Sequence, residues 1–306
     1  MLSINQKTIN KSIKLNGVGL HNGVNADLVI KPAAENFGIN FCRVDVDKED
    51  LIAANFKNVI EPILCTKIAN KNGISVSTVE HLMAALFGEG IDNALVEVNA
   101  SEIPILDGSA SDFVEAIRSV GIKEQNAQRQ FIKVEKKVEV KEGEKFISIE
   151  PSDNDLIIDF QIIYKNPLIR TRRKEFRLSQ DKLTDIYNSR TFCLYEDIDY
   201  IKSKGLAKGG SLDNAIVVKD NKILNSEGLR NNKEFVNHKI LDCIGDLYTS
   251  GYRIVASITC SQGGHYLTNQ LLRKVFQNKE NFSILEIKEK NLPHTLINRN
   301  LLKSIA

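Results

Sequence analysis

The sequence predicts an α+β protein of two similar units, each with helices packed on one face of a largely antiparallel sheet, together forming a layered sandwich. Two observations lead there. The order helix, strand, loop, helix occurs twice, and short alternating apolar runs bounded by turn residues accompany it. The length of 306 residues is about twice that of one domain and leaves room for two cores.

Alternating apolar positions at Asp27 to Ile30 and Gly38 to Phe41 read as strands, separated by the turn-forming pairs Lys31-Pro32 and Glu35-Asn36. Ser77-Thr78-Val79-Glu80 has the form of a capping box. Val79, Leu82, Met83, Leu86 and Phe87 then fall at helical spacing until Gly88 and Gly90, which predicts a helix from about Thr78 to Phe87. Asn93 to Asn99 alternates as a half-buried strand, Pro104 and Asp107-Gly108 mark a loop, and Ser111 to Val120 reads as a second helix. The stretch Gln125 to Arg129 is polar without apolar period and divides the chain into units over 1–126 and 127–306.

In the second unit Val138, Val140, Phe146, Ile147 and Ile149 flank Glu142-Gly143-Glu144 as an opening hairpin. Phe235 to Tyr248 reads as a helix, Tyr252 to Thr259 as a strand, Ser261 to Gly264 as a loop and Asn269 to Gln277 as another helix. A segment of about 194–218, with Tyr195, Ile198, Ile201, Gly205 and Gly209-Gly210, has no counterpart in the first unit and is expected as an inserted βαβ-like piece. Insertions of this kind often carry function. The basic run Thr171 to Arg177 is expected as a solvated, charged loop.

Hydrophobic residues make up 42% and charged residues 26%, a globular balance unlike that of a disordered or fibrous chain. Lys and Arg number 41 against 39 for Asp and Glu, so the net charge of +2 gives no field that calls for nucleic acid as partner. Met1 to Lys7 lacks the apolar core of a signal peptide and no later run has the length of a membrane span, so a cytoplasmic protein is expected. Cys42, Cys65, Cys193, Cys243 and Cys260 are scattered without a Cys-x-x-Cys pair, which suits reduced thiols and argues against a cysteine-type structural zinc site.

His238 and Asp242 stand one turn apart on one face of a predicted helix, where both can reach a single ion, and Asp246 continues that face. The bland alternative is a surface helix pair. An imidazole and a carboxylate supply two of the three protein ligands a catalytic zinc commonly takes. His81 is the natural third, because it lies at the matching place near the start of the first unit's helix. Glu80 diverges from His81 by about 100° around the helix, which suits a general base toward water rather than a further ligand. Its competing role is the last place of the capping box.

His265 follows Gly263-Gly264, whose backbone freedom can present it to a cleft, and amide hydrolysis requires a proton donor for the leaving amine. The alternative is an exposed loop histidine. His21 and His294 have no such context, and turn and surface positions are expected for both. The chain lacks His-Glu-x-x-His, Gly-x-x-x-x-Gly-Lys-Ser/Thr, Gly-x-Ser-x-Gly and a strand-bound Gly-x-Gly-x-x-Gly, which removes support for zincin, P-loop, serine-hydrolase and dinucleotide-binding readings.

Several strings now come together. They are Gly17-Val18-Gly19-Leu20-His21, Ser77-Thr78-Val79-Glu80-His81-Leu82, Gly90-Ile91-Asp92-Asn93, Glu102-Ile103-Pro104-Ile105-Leu106-Asp107-Gly108-Ser109, Arg190-Thr191-Phe192, Gly209-Gly210-Ser211, Asn214-Ala215-Ile216-Val217, His238-Lys239 with Leu241-Asp242, and Gly245-Asp246-Leu247. In this order, over nearly the whole chain, they resemble the bacterial UDP-3-O-acyl-N-acetylglucosamine deacetylases.

The resemblance implies an amide hydrolase of lipid A biosynthesis that removes acetate from a UDP-linked sugar carrying a fatty acyl chain. It further implies one Zn2+ per chain and a monomeric, cytoplasmic protein with no nucleic-acid partner and no transmembrane segment. By it His81, His238 and Asp242 hold the metal, Glu80 is the base, His265 protonates the leaving amine and Thr191 donates to the developing oxyanion. Lys239 and Asp246 match positions near the substrate and around His265. Phe192, Leu194, Ile198, Gly210, Ser211, Ala215 and Val217 would bind substrate, the apolar ones lining an acyl passage. Leu194 stands where the family often has an aromatic, and Cys65 matches a cysteine near the zinc. Two rival readings are a zinc amidase for another N-acyl sugar and a nucleotide-sugar or lipid binding module without catalysis. A binder would need neither Glu80 nor His265.

Overall fold

The computed structural model describes residues 4–47 and 50–286. Up to Gln128 the chain forms β1 (Asn5–Ile9), β2 (Ile13–Val18), β3 (Asn25–Pro32), β4 (Ile39–Arg43), β5 (Leu51–Ala53), β6 (Val59–Ile60), β7 (Lys67–Ala69), β8 (Ser75–Val76), α1 (Glu80–Gly88), β9 (Ala94–Val98), α2 (Ser111–Val120) and β10 (Ile122–Gln128). It continues as β11 (Gln130–Val134), β12 (Val138–Glu142), β13 (Lys145–Glu150), β14 (Leu156–Ile163), β15 (Thr171–Arg177), α3 (Leu183–Tyr187), β16 (Phe192–Leu194), α4 (Ile198–Ser203), β17 (Ile216–Lys219), β18 (Lys222–Ile223), α5 (Glu234–Tyr248), β19 (Arg253–Ser261), α6 (His265–Gln277) and β20 (Phe282–Glu286).

Side-chain alternation gives each large sheet one apolar face. Ala26, Leu28 and Ile30 of β3 and Ala94, Val96 and Val98 of β9 are buried in one sheet, and Leu156, Ile158, Phe160 and Ile162 of β14 in the other. The first sheet has the order β2-β3-β9-β4-β5 and is antiparallel except where β9 lies beside β4. The second is built round β19, which pairs antiparallel with β13 and parallel with β11 and β14. This is the α+β sandwich that the sequence predicts, and β16, α4 and β17, with β16 parallel to β17, make the expected βαβ-like insert.

The principal helices pack on one another and on the sheets. α1 lies along α5, α5 on β14 and β15, α6 on β12 and β13. So enclosed, α1 is buried except at Gly88 and α5 except at Lys239. The polar side chains on such helices, Glu80, His81, His238, Asp242 and Asp246, sit in the interior and require partners or ligands there. Gly245 permits the close crossing, because a Cβ there would come 2.0 Å from the carbonyl oxygen of Glu80. No helix among the described residues is long and apolar enough to cross a membrane.

Four local expectations change. The capping box does not form: Ser77 Oγ donates to the Ser101 carbonyl at 3.1 Å, Thr78 takes φ 62°, and α1 begins at Glu80 with no side-chain cap. Tertiary partners for Glu80 outweigh the local bond. The polar stretch Gln125 to Arg129 falls largely within β10, which pairs with β1 in a two-stranded ribbon; β1 buries Ile9 in the core, while β10 is exposed to half-buried and carries no apolar period. Thr171 to Arg177 is β15 rather than a loop; it pairs with β14, and its charges suit a sheet edge that must resist further pairing. α6 starts at His265 rather than Asn269, so His265 is a helical residue. His294 lies outside the described residues.

Candidate metal and catalytic site

Where α1 crosses α5, the rings of His81 and His238 meet edge to face with centroids 5.0 Å apart. Asp242, one turn after His238, sets Oδ1 3.4 Å from Nε2 of each histidine. The three ligating atoms lie within 4.8 Å of one another, all on buried residues. Asp242 Oδ1 has no hydrogen-bond partner of normal geometry. A buried carboxylate oxygen left so between two imidazoles is costly unless a cation completes it. Ligands at about 2.0–2.2 Å from a tetrahedral zinc stand about 3.3–3.6 Å apart, so the trio fits a divalent metal.

Its neighbours orient it. The Ser189 carbonyl lies 3.0 Å from His238 Nδ1 and accepts its proton, which turns the Nε2 lone pair toward Asp242. Burial lowers the His238 pKa to about 3, with Asp242 opposing, so the ring stays in the neutral form that ligates metals. Lys239 Nζ donates to Asp242 Oδ2 at 2.7 Å and leaves Oδ1 to the imidazoles. Burial works against charge on both partners, yet their attraction prevails: Lys239 is raised, and its ammonium holds Asp242 well below the usual carboxylate range.

The loop carrying Ser189 is fixed by Arg190, buried, which donates to Glu234 at 2.9 Å and to the Gly228 carbonyl at 2.7 Å. Thr191 follows, its N–H donating to the Gly108 carbonyl at 2.8 Å and its carbonyl accepting from Ile216 at 2.8 Å. Gly108 has φ 84°, and a Cβ on it would come 2.0 Å from the Asn214 carbonyl oxygen. Three strings far apart in the sequence therefore meet at one wall of the site.

Glu80 and His265 stand beside the trio with Glu80 Oε1 3.8 Å from His265 Nε2. Glu80 Oε2 accepts the Thr66 N–H at 2.9 Å, and Asp246 Oδ2 lies 2.8 Å from His265 Nδ1. Burial raises the Glu80 pKa, with His265 and His81 opposing. Burial also disfavours charge on His265, but Asp246 and Glu80 outweigh it and push the imidazole up to about 9. A carboxyl made more basic and an imidazole kept protonated are suited to serve as base and acid near neutral pH.

These groups open on a cavity of about 610 Å³ whose wall includes Thr191, Phe192 and Lys239. A second cavity of about 400 Å³ shares Leu20, His21, Leu64, Thr191 and Phe192 with the first. It runs into the insert between Ile198, Gly210, Ser211, Ala215 and Val217. Leu194 is not on its wall: it packs against the main core, while Phe192 and Cys193 reach the cavity. Leu212 and Leu224 line it, though the sequence did not single them out. Burial and Glu80 push the Cys65 thiol up to about 12, so it stays protonated.

His21 overturns the expectation of a surface turn. It is buried on the wall of both cavities, and neither ring nitrogen has a hydrogen-bond partner of normal geometry. The backbone N–H groups of His21 and Asn22 donate to the buried Glu102 carboxylate at 2.9 and 2.8 Å, and Thr78 Oγ1 donates to it at 2.7 Å. A Cβ on Gly19 would come 2.8 Å from Glu102 Oε2. The glycines around His21 were the signal that could have found it.

Two imidazoles and a carboxylate round one point, with a second carboxyl and a third imidazole alongside, are the parts a metal-assisted hydrolase uses. A family model of UDP-3-O-acyl N-acetylglycosamine deacetylases matches residues 6–277, and the chain belongs to that family. The UDP-3-O-acyl-N-acetylglucosamine deacetylase of Pasteurella multocida (strain Pm70) is 44% identical over 295 residues, 95% of this chain and 96% of the relative. That of Histophilus somni (strain 129Pt) is 43% identical over 290 residues, 94% of this chain and 95% of the relative. The Haemophilus influenzae (strain 86-028NP) protein of the same name is likewise 43% identical over 290 residues.

Proposed function

We propose that this protein hydrolyses the N-acetyl amide of UDP-3-O-acyl-N-acetylglucosamine, releasing acetate and a free amine in the course of lipid A synthesis. The observation that carries the reading is the gathering of His81, His238 and Asp242, with ligating atoms within 4.8 Å, beside Glu80 and His265. Those three residues would hold one zinc ion, which when bound polarises an acyl oxygen and makes water a stronger acid.

Glu80, its proton affinity raised by burial, takes a proton from the attacking water. His265, kept charged through Asp246 and Glu80, gives a proton to the leaving nitrogen, which otherwise departs poorly. Thr191, pinned between Gly108 and Ile216, donates to the carbonyl oxygen as it gains charge, a kind of contact worth about 3 kcal/mol. Lys239 fixes Asp242 and presents a cation to the cleft. The acyl chain occupies the second cavity against Phe192, Ile198, Ala215 and Val217, with Gly210 and Ser211 beside them. Each methylene buried there contributes about 0.8 kcal/mol.

In this reading 1–126 and 127–306 are two units that each contribute one helix to the metal site, and a single chain carries every residue needed, as a monomer requires. The five cysteines form no disulfide, which fits work in the reducing cytoplasm. The test is acetate release from the UDP-linked substrate before chelation, after it, and again after zinc is returned. Activity that survives removal of the metal, or zinc-loaded protein that releases no acetate, overturns the reading.

A further inference from the structure

Thr66, the residue before β7, is 2% exposed and reaches both sides of the catalytic pair. Its backbone N–H donates to Glu80 Oε2 at 2.9 Å, while its hydroxyl donates to Asp246 Oδ1 at 2.5 Å. Asp246 Oδ2 then holds His265 Nδ1 at 2.8 Å, and His265 Nε2 faces Glu80 Oε1 at 3.8 Å. Thr66, Glu80, His265 and Asp246 close a ring.

From this ring we infer that Thr66 is a positioning residue that sets the orientation of the acid relative to the base; the inference rests on the roles just given to Glu80 and His265. The torsion that turns an aspartate carboxylate has a broad, shallow minimum, so one partner on Oδ2 fixes it poorly. A second donor on Oδ1 fixes its plane, and with it the direction of the His265 ring. The bond joins a neutral donor to an ionised acceptor in a water-poor interior, where such bonds are short and strong. Thr66 has the rigidity this needs: its carbonyl accepts from Val79 N–H at 3.3 Å just before α1, and the next residues enter β7, which is paired on both edges. The same peptide that fixes Glu80 thereby fixes Asp246, across 180 residues of sequence. In catalysis Thr66 acts only through its neighbours, since it is absent from the cleft wall.

The test compares Thr66→Val, which keeps the shape and the N–H to Glu80 but loses the hydroxyl, with Thr66→Ser, which keeps both donors. Thr66→Val is expected to lower kcat about ten-fold with KM within two-fold. Thr66→Ser is expected to stay within two-fold of the parent. Added to Asp246→Asn, Thr66→Val should lose no more than a further two-fold, because its route of action is already gone. Should the valine variant be insoluble, Thr66→Ala repeats the comparison, and zinc content and Tm normalise every rate to folded protein. An arm without substrate follows the low-field Nδ1–H proton of His265 by NMR: it should shift in the valine variant and return in the serine variant. A parent enzyme that releases no acetate defeats the deacetylase reading, while the NMR arm still judges Thr66. Unchanged kcat and an unchanged proton signal in Thr66→Val, or full multiplicative losses with Asp246→Asn, overturn the inference.

Discussion

The polar cleft and the apolar passage share a wall but are built differently. The cleft draws Glu80 and His81 from the first part of the chain and His238, Asp242 and His265 from the last, each on a buried element, with Thr66 and Asp246 held behind its wall. The passage is lined chiefly by one contiguous stretch of the insert, with Tyr195, Ile201 and Leu212 among its walls. Tyr195 and Leu212 are exposed at 46% and 45%, whereas Glu80 and His238 are each exposed at 3%. Groups that must hold ångström geometry thus sit where packing from every side fixes them. The surface that, on the function proposed, only has to match an acyl chain's length and girth sits on a local, replaceable segment. Changes in the cleft should act on turnover, and changes in the passage on which substrate is preferred.

The sharpest break of that contrast is at the metal. His238→Ala is expected to bring zinc content and acetate release to background together, read by metal analysis on the assayed sample. Next come Glu80→Gln and His265→Gln, each lowering kcat by about 10²–10⁴ with zinc retained, so a rate near the parent's would remove the residue from the proton-transfer scheme.

Asp246→Asn acts through pH. His265 is raised from 6.5 to about 9, so the charged acid, and the stability its ion pair contributes, are fully present below pH 6.5 and are lost as pH rises through about 9. Without the Asp246 charge the alkaline limb of the kcat/KM profile should move down from about 9, with a loss of about ten-fold at pH 8. A limb that stays in place would detach His265 from it.

In the passage, Ala215→Leu should lower kcat/KM for long acyl chains by about four-fold for each methylene excluded and spare short ones, checked with a chain-length series. An equal fall for all lengths would mean that Ala215 serves the cleft. Smallest of all, Arg173→Ala at the exposed edge of β15 should leave Tm and activity as they are.

Much of this was legible in the order of residues. Helix Ser111–Val120, the hairpin of β12 and β13, and the helix-strand-helix repeat all follow from local periodicity, which acts within a few residues. The pairing of His81 with His238 was also visible, because matching helices in a repeat present matching positions. Thr66 left no such trace, since the carboxylate its hydroxyl meets lies 180 residues away and any threonine looks alike until that partner is known. Glu80 shows the same limit from the other side: the local signal offered it a capping role, and the backbone N–H of Thr66, just before β7, claimed it instead.

What the sequence determined by itself, then, was which elements form and which chemical groups they carry, because backbone propensity and apolar spacing are local properties. Only the tertiary structure decided that His21 faces the cavities, that Leu194 does not, and that an unsatisfied oxygen of Asp242 ends between two imidazoles. Those outcomes depend on burial and on distances between atoms remote in sequence, which exist only once the sheets have closed over α1 and α5.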